Sequence, residues 1–129
     1  MKNKKIAVNL LFILGLIAAN KTQAQENMKW PELDSFHATA MSSFHAAEAN
    51  KLRPLRDSAA SILAKSKALQ ASQVPSGYNA TVLKPLLQQL TNECKSVNDA
   101  VVGKKSDSNL RPLAMKAHNT FHEILSKEK

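Results

Sequence analysis

Apolar residues recur at every third or fourth position in four segments, at about residues 31–50, 54–72, 82–102 and 110–126. This spacing places the apolar side chains on one face of an α-helix and the polar ones on the other. Four helices of similar length with short connections predict an all-α protein, an up-down-up-down antiparallel four-helix bundle. Scarce glycine and aromatic residues, with much Ala, Leu, Lys and Ser, favour the same architecture.

Proline marks the predicted start of each helix. Pro31, Pro54, Pro85 and Pro112 each precede or open one of the four segments. Proline fits the first helical turn because the amide hydrogen that it lacks has no helical partner there. The candidate N-caps are Asn79 or Thr81 for the third helix and Ser106 or Ser108 for the fourth.

The first 24 residues have the pattern of an export signal. A basic start is followed by the apolar run 6–19 and by small residues that end at Ala24. The apolar run is shorter than the roughly 20 residues that a membrane span needs. Residues 1–24 are therefore predicted to be a removed signal peptide, and residues 25–129 a single periplasmic or secreted domain without a membrane anchor.

Net charge and cysteine content exclude some classes of protein. The predicted leader holds four lysines and no acid, so the formal charge of +8 falls to +4 in the mature chain. No basic stripe interleaved with aromatic residues occurs, and nucleic-acid binding is not expected. With a single cysteine, Cys94, the domain has no internal disulfide. Its stability must come from packing, from a ligand or from association, for example as a homodimer.

All four histidines lie on the first and last predicted helices. His37 and His45 are on the first helix with Met41 midway between them, and His118 and His122 are on the last. Residues four apart on a helix share a face. The two sets therefore form two columns on the predicted inward faces.

Antiparallel first and last helices with aligned ends would place His37 opposite His122 and Met41 opposite His118. These four side chains are the predicted metal ligands. His45 lies about 12 Å from His37 along the helix axis, at about 1.5 Å per residue, so one ion cannot bind both. A second and weaker set of ligands, at another level along the bundle axis, would consist of His45 with Met115, Glu48 and Cys94. Cys94 is better interpreted as a small buried apolar residue.

Imidazole nitrogens with a thioether sulfur are the ligands that copper prefers, and such sites also admit zinc, nickel or cobalt. The predicted function is metal buffering, delivery or sensing. No nucleophile is paired with a base, and the sequence has no phosphate-binding loop or convergent carboxylate pair, so an enzyme is not expected. In the alternative without a cofactor, the protein is a structural or interaction module whose histidines form a buried polar network or respond to pH.

The leader, the length and the helix order resemble those of the exported four-helix cytochromes, of the cytochrome b562 and cytochrome c′ type. The resemblance implies a non-covalent b-type haem held by Met41 and by His118 or His122, with an electron-transfer role. Ligation by His37 and His122 is a second possibility for haem. The Cys-x-x-Cys-His motif is absent, which excludes covalent haem. In general plan the chain is also similar to small periplasmic four-helix metal sensors and chaperones.

Overall fold

The structure, a computed structural model, describes residues 29–128. It contains four α-helices: α1 (Pro31–Glu48), α2 (Arg53–Ala71), α3 (Ala80–Val102) and α4 (Asp107–Leu125). Within the described residues, extended pairing is limited to one isolated bridge between Tyr78 and Glu128. The predicted all-α fold class is confirmed, whereas the predicted signal peptide, residues 1–24, lies outside the described residues.

The prolines mark two of the helix starts correctly and two incorrectly. Pro31 and Pro54 lie in the first two positions of α1 and α2. Pro85 and Pro112, however, lie inside α3 and α4, each as the sixth residue. Pro85 and Pro112 have no amide hydrogen to donate to the carbonyls of Thr81 and Ser108. Both of these residues are exposed in the first turn of their helix, so water can bind to the carbonyls instead.

The N-caps explain why these two helices begin before their prolines. The side chain of Asn79 accepts a hydrogen bond from the amide of Val82, and that of Ser106 accepts one from the amide of Asn109. A side-chain oxygen at this position satisfies one of the free amides at a helix start. The predictions of Asn79 and Ser106 as caps are confirmed.

The helices pack around one apolar core. Each helix contacts the next along the chain, and α1 also contacts α4. Phe36, Phe44 and Phe121 are the largest of the fully buried side chains. The ring centroids of Phe36 and Phe121 lie 4.9 Å apart, and those of Phe36 and Phe44 lie 6.4 Å apart. The region between α1 and α4 is thus filled by aromatic rings.

Two polar connections tie the helix ends together. Trp30 is 2% exposed, donates a hydrogen bond from Nε1 to Ser72 Oγ over 2.8 Å and packs edge-on against Tyr78. At another junction, Arg56 donates from Nη2 to the Lys105 carbonyl and to Asp107 Oδ1, both over 2.7 Å. The first contact joins the start of α1 to the end of α2, and the second joins the start of α2 to the α3–α4 connection.

None of the helices in the described part of the chain is both long and apolar enough to cross a lipid bilayer.

Candidate metal centre

Only one of the four histidines is buried. His118 on α4 is 7% exposed, whereas His37, His45 and His122 are exposed. The prediction that all four face the interior is therefore wrong for three of them. The buried stripe of α1 is narrower than the apolar spacing predicts. It is centred on residues such as Phe36, Ala40 and Phe44, so the histidines that follow the two phenylalanines lie at its edge.

Three of the imidazoles nevertheless converge. The ring centroid of His118 lies 4.5 Å from that of His122 and 5.1 Å from that of His45. One ring nitrogen from each of these three side chains lies within 4.8 Å of the other two. We call this group, His45, His118 and His122, the three-histidine cluster. The cluster joins two residues that lie one turn apart on α4 to a residue in the last turn of α1.

A direct hydrogen bond links the two histidines of α4. The Nε2 atoms of His118 and His122 lie 2.9 Å apart. One of these nitrogens must carry a proton and the other must offer its lone pair. A bound metal ion would take the place of that proton, since a metal binds imidazole through a nitrogen lone pair.

Burial determines the protonation of His118. The pKa of His118 is lowered from its ordinary value of 6.5, chiefly because burial disfavours the charged ring. The charges of His122 and His45 lower this pKa further, whereas the carboxylate of Glu48 acts in the opposite direction. His118 is thus held in the neutral form, which is the form that binds a metal.

Packing and one hydrogen bond position the cluster. The ring of His118 lies against Phe44, with 5.7 Å between centroids. Arg111, one of the polar side chains of α4, donates from Nη2 to the carbonyl of Glu48 over 3.1 Å. These contacts hold the last turn of α1 beside α4, which keeps His45 near His118. The sequence analysis did not identify Phe44 and Arg111 as positioning residues. The sequence feature that could have indicated the role of Phe44 is its place directly before His45.

His37 and Met41 lie elsewhere. The ring of His37 packs 5.9 Å from Phe121 and does not belong to the cluster. Met41 is 6% exposed and belongs to the hydrophobic core. The predicted pairing of His37 with His122 and of Met41 with His118 compared Cα heights along two helices. Helical side chains lean towards the N-terminus of their own helix, so rings that meet need not have Cα atoms at equal heights.

The residues of the predicted weaker level are separated. His45 joins the cluster, and Glu48, the last residue of α1, is exposed one turn after it. Met115 is half-buried and packs against the core. Cys94 is completely buried, and burial raises the pKa of its thiol to about 12. A thiol with such a pKa stays protonated and is a poor metal ligand at neutral pH.

The fold and the cluster define the class of molecule as a small all-helical protein that carries three converging imidazoles where α1 meets α4. Comparison with protein-family models, with curated proteins and with solved structures found no match.

Proposed function

We propose that this protein binds a transition-metal ion through His45, His118 and His122. The observation that carries the proposal is the convergence of their ring nitrogens within 4.8 Å. In a tetrahedral zinc site with zinc–nitrogen bonds of about 2.0–2.1 Å, ligand nitrogens lie about 3.3 Å apart. The 2.9 Å separation within the His118–His122 pair would have to widen by only a few tenths of an ångström. The exposed His45 side chain closes the remaining gap by a change of rotamer.

The donor set favours a borderline ion. Imidazole nitrogens suit Cu²⁺, Zn²⁺, Ni²⁺ and Co²⁺, and affinity for such ligands is highest for Cu²⁺. Calcium and magnesium prefer oxygen ligands and are not expected to bind. Met41 lies in the hydrophobic core, so the proposed site contains no thioether sulfur, although that sulfur was part of the sequence argument for copper. Copper remains the favoured ion on affinity, with zinc next.

The bundle topology, the location and the physiological role belong to the same proposal. Contacts of Phe36 with Phe121 and of Phe44 with His118 support opposite directions for α1 and α4, and the short connections support an up-down-up-down bundle. The leader-like pattern in residues 1–24 supports a periplasmic or secreted location. A single-domain exported protein with this site would serve metal buffering, delivery or sensing rather than catalysis.

A b-type haem is the alternative that the resemblance implied, and the packing gives it less support. A haem held by Met41 and His118 would lie between α1 and α4. The rings of Phe36, Phe44 and Phe121 fill that region, and all three are fully buried. Haem binding would therefore require the displacement of large core side chains, which costs several kcal/mol for each phenylalanine.

Metal titration of the purified protein tests the proposal. Isothermal titration calorimetry with Cu²⁺ and Zn²⁺ should give one ion per chain. His118→Ala, His122→Ala and His45→Ala should each weaken binding by more than about tenfold, because even loss of a residue that only orients a ligand costs about 10–100-fold.

His37→Ala is the matched control. His37 is exposed and lies on α1, as His45 does, but it is outside the cluster. The metal affinity of the His37→Ala variant should therefore equal that of the wild type. Circular dichroism of every variant checks that the helices remain folded. Folded variants of the three cluster residues that bind as tightly as the wild type would refute the proposal, as would a fall in affinity confined to His37→Ala.

A further inference from the structure

We infer that an ion in the three-histidine cluster keeps one coordination position open, and that this position takes a nitrogen or sulfur donor from another molecule. The inference rests on the proposed metal binding and deepens it. It concerns how the ion is passed on, because a donor that enters beside three protein ligands can withdraw the ion without first waiting for it to dissociate.

The number of donors is the first observation. Among the histidine, cysteine, aspartate and glutamate side chains of residues 29–128, the cluster brings together three and not four. Three protein ligands with one free position are typical of zinc sites that exchange ligands, whereas structural zinc sites are closed by four. The empty fourth position would hold water until another donor replaces it.

Exposure is the second observation. His118 forms the buried side of the cluster, and its ring lies on Phe44. His45 and His122, by contrast, are exposed. An ion held by these three rings would therefore have protein beneath it and solvent on the side of the two exposed rings. The open position would face outward, where a ligand of another molecule can reach it.

Two neighbouring side chains are the candidates for closing the site from within the protein. Glu48 follows His45 by one turn, but its carboxylate lies outside the group of donors that converge within 4.8 Å. Met115 precedes His118 by three residues and packs against the core. Movement of Met115 to the ion would expose its apolar contacts to water. Neither side chain is expected to occupy the fourth position.

The entering ligand is a single donor atom of the kind that borderline ions accept. A neutral imidazole fulfils this requirement. In a protein partner, the same donor would be an exposed histidine or methionine side chain. Ligand replacement at the open position involves no redox change: water leaves the ion and the incoming nitrogen or sulfur lone pair takes its place.

Cobalt substitution tests the inference, because the visible absorption of Co²⁺ responds to its ligands. The Co²⁺-loaded full-length protein is titrated with free imidazole, and ultrafiltration measures the cobalt that stays with the protein. The expected result is a saturable spectral change while one cobalt per chain remains bound. Glu48→Gln should shift the imidazole dissociation constant by no more than about fivefold, the effect of one exposed charge, and Met115→Leu, which removes no charge, should leave it unchanged.

The outcomes separate this inference from the proposed function. If Co²⁺ does not bind at all, metal binding and the open position are both refuted. If Co²⁺ binds but its spectrum ignores imidazole, metal binding stands and the open position is refuted. A response that appears only in Glu48→Gln or only in Met115→Leu would show that the replaced side chain fills the position, and would likewise overturn the inference.

Discussion

Nε2 of His118 lies 2.9 Å from Nε2 of His122, one turn further along α4, although only the first of these rings is buried. A helix positions residues four apart above one another, so the pair needs no tertiary contact to form. The packing of α1 against α4 adds His45 to it. The local pair and its tertiary partner therefore have separate physical origins, and each can be perturbed alone.

The first prediction concerns the stability of the metal-free protein as a function of pH. The folded-state pKa of His118 is lowered below 6.5, so the unfolded chain binds a proton more readily than the folded chain does. This histidine therefore contributes stability above about pH 6.5 that is lost as the pH falls through its folded pKa. Urea denaturation in the presence of a chelator should give a lower free energy of unfolding at pH 5.5 than at pH 8.

Two variants isolate that effect. His118→Gln should lose a smaller part of its free energy of unfolding between pH 8 and pH 5.5 than the wild type does, because glutamine does not titrate. His37→Gln, which replaces an exposed histidine, should show the full loss. Equal pH dependence in the wild type and His118→Gln would contradict the prediction.

The second prediction concerns the aromatic packing between α1 and α4. Phe121 is fully buried against Phe36, so Phe121→Ala should lower the free energy of unfolding by about 3–5 kcal/mol through lost burial and a residual cavity. Urea denaturation measures the loss. Val102→Ala is the control, because Val102 is 73% exposed and its truncation should cost less than about 0.5 kcal/mol. Similar costs for the two variants would show that Phe121 is not part of the core.

The third prediction concerns the single tryptophan, Trp30. Ser72→Ala removes the acceptor of its indole hydrogen bond and leaves a donor that is 2% exposed without that partner. The expected cost is about 1–3 kcal/mol, the usual penalty for an unsatisfied buried group. Because the chain has one tryptophan, its fluorescence follows unfolding from this site directly.

Ser61→Ala is the control for Ser72→Ala, since Ser61 is an exposed serine within α2, the helix that Ser72 directly follows. It should change the free energy of unfolding by less than about 0.5 kcal/mol. In a Trp30→Phe background, which has no indole donor, Ser72→Ala should cost much less than it does in the wild type. A similar cost in both backgrounds would mean that the hydrogen bond contributes little.

The fourth prediction concerns the reactivity of Cys94. Its thiol is fully buried and burial raises its pKa to about 12, so the thiol stays protonated at pH 8. A disulfide reagent should therefore label the native protein extremely slowly and the urea-unfolded protein at the rate of a free cysteine. Cys94→Ala should leave the metal affinity unchanged. Rapid native labelling, or a loss of metal binding in Cys94→Ala, would be the contrary result.

Much of the helical structure was predictable because its causes are local. The three-to-four-residue spacing located all four helices, and Asn79 and Ser106 predicted the caps that begin α3 and α4. The errors at Pro85 and Pro112 also have a local cause. Pro85 and Pro112 leave only the carbonyls of Thr81 and Ser108 without a helical partner, and both of these residues are exposed in the first turn of their helix.

The candidate site was predictable only in part, because it depends on how two distant helices meet. The sequence placed His118 and His122 one turn apart on one helix, and the helical repeat guarantees that this pair shares a face. Periodicity could not decide between His37 and His45 as the third member, since both lie at the edge of the same stripe. The contacts of Phe36 with Phe44 and Phe121 set the relative height of the two helices. That height, together with the direction in which helical side chains lean, brings His45 rather than His37 to the pair.

The sequence alone determined the four helices and the histidine pair of α4, because each of these depends on residues within a few turns of one another. The tertiary structure decided that His45 joins this pair, that His37 stays apart against Phe121, and that Met41 and Cys94 belong to the core. Those assignments depend on the relative rotation and height of helices far apart in the chain. Close packing of large side chains determines both, and helical periodicity carries no information about either.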